Sequence, residues 1–125
     1  MRGLHLTADL FDCADPAGLL SDGARLQQLC EHLTDEAGLT VVGSHFHAFP
    51  PGPHGTVGWT GVLLLAESHL AVHTWPEQHA VTLDVFVCNV GQDNSARARR
   101  LLDALVARFA PGRAHRQQVE RGVTA

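Results

Sequence analysis

From Gly58 to Cys88 the chain offers three extended stretches joined by short links. That shortness limits the fold more than any other feature, because parallel neighbours need a crossover of a dozen residues or more. Ala80 to Cys88 is the clearest stretch, with Val81, Leu83, Val85 and Val87 alternating against Thr82, Asp84, Phe86 and Cys88. Both sets carry apolar groups, so both faces are expected to be covered. Gly58 to Leu65 and Leu70 to Trp75 are the strands before it. Glu67-Ser68-His69 lies between them at a strand junction, and Pro76-Glu77-Gln78 forms the following turn. Three neighbours linked this tightly pair antiparallel.

The remaining elements are read from periodicity and punctuation. Leu4 to Leu10 alternates as a half-buried strand. Ser21 or Asp22 caps a helix over Gly23 to Ala37, with Leu26, Leu29, Cys30 and Leu33 on one face and Gly38 as its stop. Leu39 to Phe49 is a strand, and the dense prolines and glycines of Pro50 to Gly55 make a loop. A second helix starts at Asn94 or Ser95 and runs to Phe109 with an apolar stripe of Leu101, Leu102, Leu105 and Val106; Arg113 to Glu120 is a last strand. The order β-α-β-β-β-β-α-β predicts an α+β fold: an antiparallel sheet with two helices on one face. A chain of 125 residues makes one domain, residues 1–125.

Composition narrows the function. A formal charge of −4 and no basic run interleaved with aromatics exclude nucleic acid as a partner. The longest apolar run, Gly61 to Ala66, is far shorter than the ~20 residues of a bilayer span. The N-terminal residues alternate instead of forming a signal peptide's apolar core, so a cytoplasmic chain with no membrane partner is expected. Three widely spaced cysteines without a CxxC pair form neither a disulfide framework nor a zinc knuckle. Cys13 and Cys30 read as small buried hydrophobes.

All nine Lys+Arg residues are arginine. A chain without lysine cannot hold pyridoxal phosphate as an internal imine, so an electron-sink carbonyl would have to come from elsewhere. Ser68 is the candidate source. Its hydroxyl can attack the Glu67 carbonyl, turning the peptide bond into an ester by an N-to-O acyl shift. Removal of the Ser68 α-proton then eliminates the ester, and hydrolysis of the resulting dehydroalanine leaves a pyruvoyl group. Such an amino-terminal ketone forms a Schiff base with amino-acid substrates. His73 is the candidate base, since imidazole titrates near neutrality. It shares a strand face with His69 and Ala71, and bringing the Ser68 hydroxyl round to it requires a bend at the junction. Cys88 is the candidate proton donor, a free thiol being mostly protonated at neutral pH. Phe49 and Trp75 can flank a flat ligand, and Glu77 can accept from ribose hydroxyls or pair with an ammonium. Asp84, mid-strand, needs a partner if buried.

A different class of chemistry also has its residues. His45 and His47 share a strand face and, with His69 and His73, offer a histidine-rich metal-binding module. No carboxylate ligand accompanies them on that face, and no metal is expected.

Glu67-Ser68-His69-Leu70, His73-Thr74-Trp75-Pro76-Glu77 and Leu83-Asp84-Val85-Phe86-Val87-Cys88, with Phe46-His47-Ala48-Phe49 upstream and Glu120-Arg121-Gly122 late, resemble the S-adenosylmethionine decarboxylase proenzyme family of bacteria and archaea. The likeness runs from Gly3 to Gly122. It implies self-cleavage between Glu67 and Ser68 into a β chain of residues 1–67 and an α chain of 68–125, with the pyruvoyl cofactor derived from Ser68. It implies His73 as the processing base, Cys88 as the proton donor, Phe49, Trp75 and Glu77 as substrate-binding residues, and S-adenosylmethionine as substrate. The decarboxylated product would be the aminopropyl donor for spermidine. The family's cleaved protomers form a homodimer, sheet against sheet, as an αββα sandwich.

The sequence departs from the family's pattern at three points. Thr60-Gly61 stands where a Ser-Gly pair is usual, with Thr60 supporting processing in the serine's place; Pro50 to Trp59 is a longer connection; and Asn89 follows Cys88 where glycine is usual. The altered loop is where a change of substrate to ornithine or arginine would reside. An uncleaved, non-catalytic partner protein is the other alternative.

Overall fold

The computed structural model describes residues 1–122; the last three residues of the domain expected over 1–125 lie outside the described residues. Its elements are β1 (Gly3–Phe11), α1 (Gly23–Glu36), β2 (Val41–Ala48), β3 (Trp59–Leu65), β4 (Ser68–Trp75), β5 (Ala80–Cys88), α2 (Ser95–Phe109) and β6 (Arg113–Arg121). The order is the one that periodicity predicts. One six-stranded antiparallel sheet results, in the order β2-β3-β4-β5-β1-β6.

The two helices lie on one face. Asp22 starts α1 by accepting from the Arg25 amide, satisfying one of the donors a helix start leaves open. Leu26, Cys30 and Leu33 of α1 and Leu101, Leu102 and Leu105 of α2 are buried against Leu4, Leu6, Leu63, Leu70, Val72, Leu83 and Val85 of the sheet. Each fully buried leucine there contributes about 1.5–3 kcal/mol by leaving water. Thr74, the buried polar residue of β4, is fully satisfied: its hydroxyl donates to the Leu20 carbonyl at 2.7 Å and accepts from the Trp59 amide at 2.9 Å. Those bonds tie the end of β4 to β3 and to the loop before α1.

The opposite face has no covering element among the described residues. It carries Thr60, Val62 and Leu64 of β3, His69, Ala71, His73 and Trp75 of β4, Thr82, Asp84, Phe86 and Cys88 of β5, and His5 of β1, mostly half-buried by one another. The sequence expectation that both faces of Ala80–Cys88 are covered holds only for the helix side within one chain. Among the described residues no helix is long and apolar enough to cross a membrane.

The junction between β3 and β4 is tighter than expected. Leu65 already pairs with Ser68, so the connection is the two-residue turn Ala66-Glu67, and Ser68 and His69 belong to β4. No bend brings Ser68 round to His73: pairing is unbroken from Ser68 to Thr60's partner His73.

Candidate active site

Two clusters form, one at each end of β4. At its start, Glu67 adopts φ 59, in the left-handed region that favours glycine. A non-glycine residue held there stores strain in the turn immediately before the Glu67–Ser68 bond. The Ser68 hydroxyl oxygen accepts from the Cys88 amide at 3.0 Å. That bond follows from register. His69 pairs with Phe86, so the backbone groups of Cys88 point toward β4 at the place where β4 has not yet begun. A side-chain oxygen takes the position of the missing strand carbonyl.

Phe86 forms one wall of this end. His69 stacks on it at 5.7 Å and 29°, His5 meets it edge-on at 6.1 Å, and the Arg121 guanidinium lies 5.7 Å above its centroid. A β-carbon at Gly3 would sit 2.8 Å from the ring, so only glycine lets Phe86 lie where it does. Arg121 donates to His5 Nδ1 at 3.2 Å, which leaves Nε2 to donate to Asp84 at 3.2 Å. Asp84 thus has the partner its mid-strand position demanded. Met1, Glu67, Phe86, Cys88 and Val90 line a cavity of about 370 Å³ beside Ser68.

At the far end, Thr60 Oγ1 and His73 Nδ1 are hydrogen-bonded at 3.1 Å across the β3–β4 pair. Trp75 stacks on the His73 ring at 6.0 Å and 28°, and Phe49 leans on Trp75 with 6.3 Å between centroids. The loop after Phe49 closes at its base through Phe49 N–H to the Gly58 carbonyl at 2.8 Å. Glu77 is exposed in the single 3₁₀ turn Pro76–Gln78 that follows Trp75. This end is therefore a flat aromatic and imidazole surface with a carboxylate at its rim.

The structure brings Ser68 and Cys88 together, and separately brings Thr60, His73, Trp75 and Phe49 together. It does not bring Ser68 to His73. They are five positions apart on a regular strand, roughly 17 Å at ~3.3 Å per residue. Alternation puts His73 on the open face and the Ser68 side chain on the helix side. His45 and His47 also face the open side, but among the described residues no three His, Cys, Asp or Glu side chains converge as metal ligands.

The other two thiols differ from Cys88, which is partly exposed. Burial, with Glu31 adding, pushes the Cys30 thiol up to about 12. Burial, followed by Asp15 and Asp12, pushes Cys13 up to about 11. Both are inert core thiols at neutral pH. Sequence reasoning passed over His5, Phe86, Asn94 and Arg121. Asn94 stood out only as a helix start, and the other three join the site only once β5, β1 and β6 are known to be neighbours.

Residues 4–122 match the family described as S-adenosylmethionine decarboxylase. The S-adenosylmethionine decarboxylase proenzyme of Aquifex aeolicus is 38% identical over 122 residues, covering 97% of this chain and 82% of that protein. The proenzyme of the same name from Archaeoglobus fulgidus is 32% identical over 120 residues, covering 96% and 97%. The crystal structure of the Aquifex aeolicus adenosylmethionine decarboxylase superposes with a TM-score of 0.83 at 34% identity, covering 98% of this chain and 92% of that one. The chain belongs to the S-adenosylmethionine decarboxylase family. The stretch matching the S-adenosylmethionine decarboxylase family includes all of β4 and, apart from Met1 and Gly3, the residues of both clusters, which therefore lie within the shared fold and not on an appendage.

Proposed function

We propose that this chain is a self-processing, pyruvoyl-dependent decarboxylase of S-adenosylmethionine, supplying the aminopropyl donor for spermidine, and that it works in the cytoplasm as a pair of copies. The observation that carries the reading is the Glu67–Ser68 junction: a strained, left-handed glutamate directly before a serine whose hydroxyl is already held by a backbone donor.

Self-cleavage begins with Ser68 Oγ attacking the Glu67 carbonyl carbon. The peptide nitrogen leaves as the Ser68 amine, and an ester replaces the amide. Strain at Glu67 favours the step because the ester is free of the turn's constraint. A base next removes the Ser68 α-proton, the Cβ–Oγ bond breaks, and Glu67 departs as a carboxylate. Hydrolysis of the remaining dehydroalanine releases ammonia. A pyruvoyl group at position 68 would supply a carbonyl able to condense with the substrate amine and to accept the electrons left when carbon dioxide departs. The Cys88 backbone amide adjoins Ser68 Oγ, which supports the reading in which the Cys88 thiol returns a proton to the substrate carbon. The cavity beside it gives the substrate room, and the absence of lysine leaves no internal-imine route to a carbonyl cofactor.

A second copy supplies what one chain lacks. The uncovered face presents apolar and aromatic groups, with Leu64 53% exposed. A two-fold axis near Ala71, midway between Ser68 and His73, would set each chain's His73 end against its partner's Ser68 end, as an isologous contact requires. The partner's imidazole would approach the Ser68 α-carbon from the open face. On this reading Thr60 holds the base, while Phe49, Trp75 and Glu77 hold the adenosine portion of a substrate attached to the partner's residue 68.

Intact mass spectrometry together with carbon dioxide release tests the reading. The expected result is two fragments, residues 1–67 and 68–125, and carbon dioxide from S-adenosylmethionine but not from ornithine or arginine. Ser68→Ala is expected to give one chain and no activity. A wild-type chain that stays whole, or carbon dioxide from ornithine or arginine instead, overturns it.

A further inference from the structure

Cys88 ends β5 with both of its backbone hydrogen-bonding groups pointing toward a strand that has not yet started. In a regular ladder, carbonyl and amide of β4 would satisfy them. Here two side chains do so. The Cys88 N–H donates to Ser68 Oγ at 3.0 Å, and the Cys88 carbonyl accepts from Asn94 Nδ2 at 2.9 Å. Asn94 is itself fixed. Its N–H donates to Asn89 Oδ1 at 2.8 Å, Asn89 Nδ2 donates to Ser95 Oγ at 3.0 Å, and the Asn89 N–H donates to the Arg2 carbonyl at 2.8 Å. The result is a closed set of bonds from the start of α2, through the end of β5, to the reacting oxygen.

We propose that Asn94 is a positioning residue for self-cleavage: by pinning the Cys88 carbonyl it keeps the Cys88 N–H aimed at the Ser68 oxygen while that oxygen becomes part of the departing Glu67 carboxylate. The inference rests on the self-processing reading above. The step concerned is the elimination. The α-proton of Ser68 goes to the base, and the electron pair of the Cα–H bond forms the Cα=Cβ double bond. The pair of the Cβ–Oγ bond stays on Oγ, which turns from an ester oxygen into one oxygen of the carboxylate. Negative charge grows on that oxygen, and a donor already within hydrogen-bond distance stabilises it without reorganising. The Cys88 carbonyl shares its peptide unit with the Asn89 N–H, which the Arg2 carbonyl holds from the β1 side; Asn94 holds that unit from the other side, where β4 offers no partner, and so helps fix the Cys88 α-carbon whose own N–H meets Ser68.

Asn94→Asp isolates the effect. The Asn94 side chain makes no capping bond to α2, and aspartate suits the N-cap position as well as asparagine, so α2 keeps its start, but an ionised carboxylate has no donor for the Cys88 carbonyl. Asn94→Ser is a second good cap, too short to reach. Chains made by cell-free synthesis are followed by intact mass with and without hydroxylamine, which cleaves esters but not amides, and their thermal melts are recorded. For both variants we expect wild-type melting and cleavage slower by about tenfold or more. Hydroxylamine is expected to restore scission at 67/68 and leave an intact serine at position 68, because the ester accumulates. Cleavage at the wild-type rate, or slow cleavage that hydroxylamine does not rescue, overturns the role of Asn94. Failure of the wild-type chain to cleave would instead overturn the self-processing reading, so the two failures are told apart.

Discussion

The two ends of β4 differ in kind. At its start the important atoms belong to the backbone or lie against it: a strained turn, a peptide N–H, and a serine replacing a strand carbonyl. At its end they belong to side chains standing on a regular strand: a hydroxyl on an imidazole, and two aromatic rings. The first arrangement suits chemistry on the chain itself, since it strains the turn before one bond and sets a donor on one oxygen. The second suits holding a proton acceptor and a flat ligand. A single strand keeps Ser68 and His73 roughly 17 Å apart, at ~3.3 Å per residue, so on the proposed reading neither end does the whole reaction in one chain. On the proposed reading the separation divides the site between copies and makes the uncovered face part of the catalyst.

The most severe test of this division is a mixing experiment. Ser68→Ala and His73→Ala chains are each expected to stay uncleaved when made alone. Made together, the Ser68→Ala chain lends its His73 to the Ser68 of the His73→Ala chain. About half of the His73→Ala chains, those in mixed pairs, should then be cleaved at 67/68, with the Ser68→Ala chain whole. The measurement is intact mass of the co-expressed pair. No cleavage in the mixture would return the base to the serine's own chain, and cleavage of His73→Ala chains made without the other variant would remove His73 as the base; either collapses the contrast between the two ends.

A smaller effect is expected within the far end. Thr60 is bonded to His73, and on this reading it orients the ring without touching the reacting atoms. Thr60→Val keeps the shape and removes the bond, and should slow cleavage by about tenfold, the scale of ~1.4 kcal/mol of lost orientation. Thr60→Ser restores the bond without the methyl group and should cleave at least as fast as wild type. A valine variant as fast as the threonine chain would show that the hydroxyl serves only the strand pair.

Much of this was legible in the sequence, for definite reasons. Helix starts were readable because caps are local: Asp22 precedes α1 and accepts from Arg25 as a cap should. The pairing of β3, β4 and β5 was readable because short links permit little else. Ser68 and Cys88 were picked out by type and pattern, and the register of β4 on β5 makes them neighbours. What misled was nearness along the chain. Ser68 and His73 are five positions apart and look like partners, yet an extended strand turns five positions into the length of the site. The reverse holds for His5, Asp84 and Arg121, which lie 79 and 116 positions apart and touch. No local pattern marks them, because their contact depends on β1 entering the sheet between β5 and β6.

The smallest predicted effect measures the strain that sets the first end apart. Glu67 at φ 59 occupies a conformation that glycine adopts without a β-carbon penalty. In an uncleavable Ser68→Ala background, adding Glu67→Gly should raise stability by about 0.5–1 kcal/mol, the relief of the left-handed residue less the entropy a glycine adds to the unfolded chain. Urea melts of the two variants give the difference. With Ser68 restored, the same glycine should slow cleavage, since part of the drive toward the ester is gone. A glycine variant no more stable than its parent would mean that the turn stores nothing and that the first end acts through the Cys88 donor alone. A glycine variant more stable and yet as quickly cleaved would mean that the strain is real but released after the step that limits the rate. Only the combination of added stability and slower cleavage joins the turn's geometry to its chemistry, which the far end, standing on relaxed strand, has no means to do.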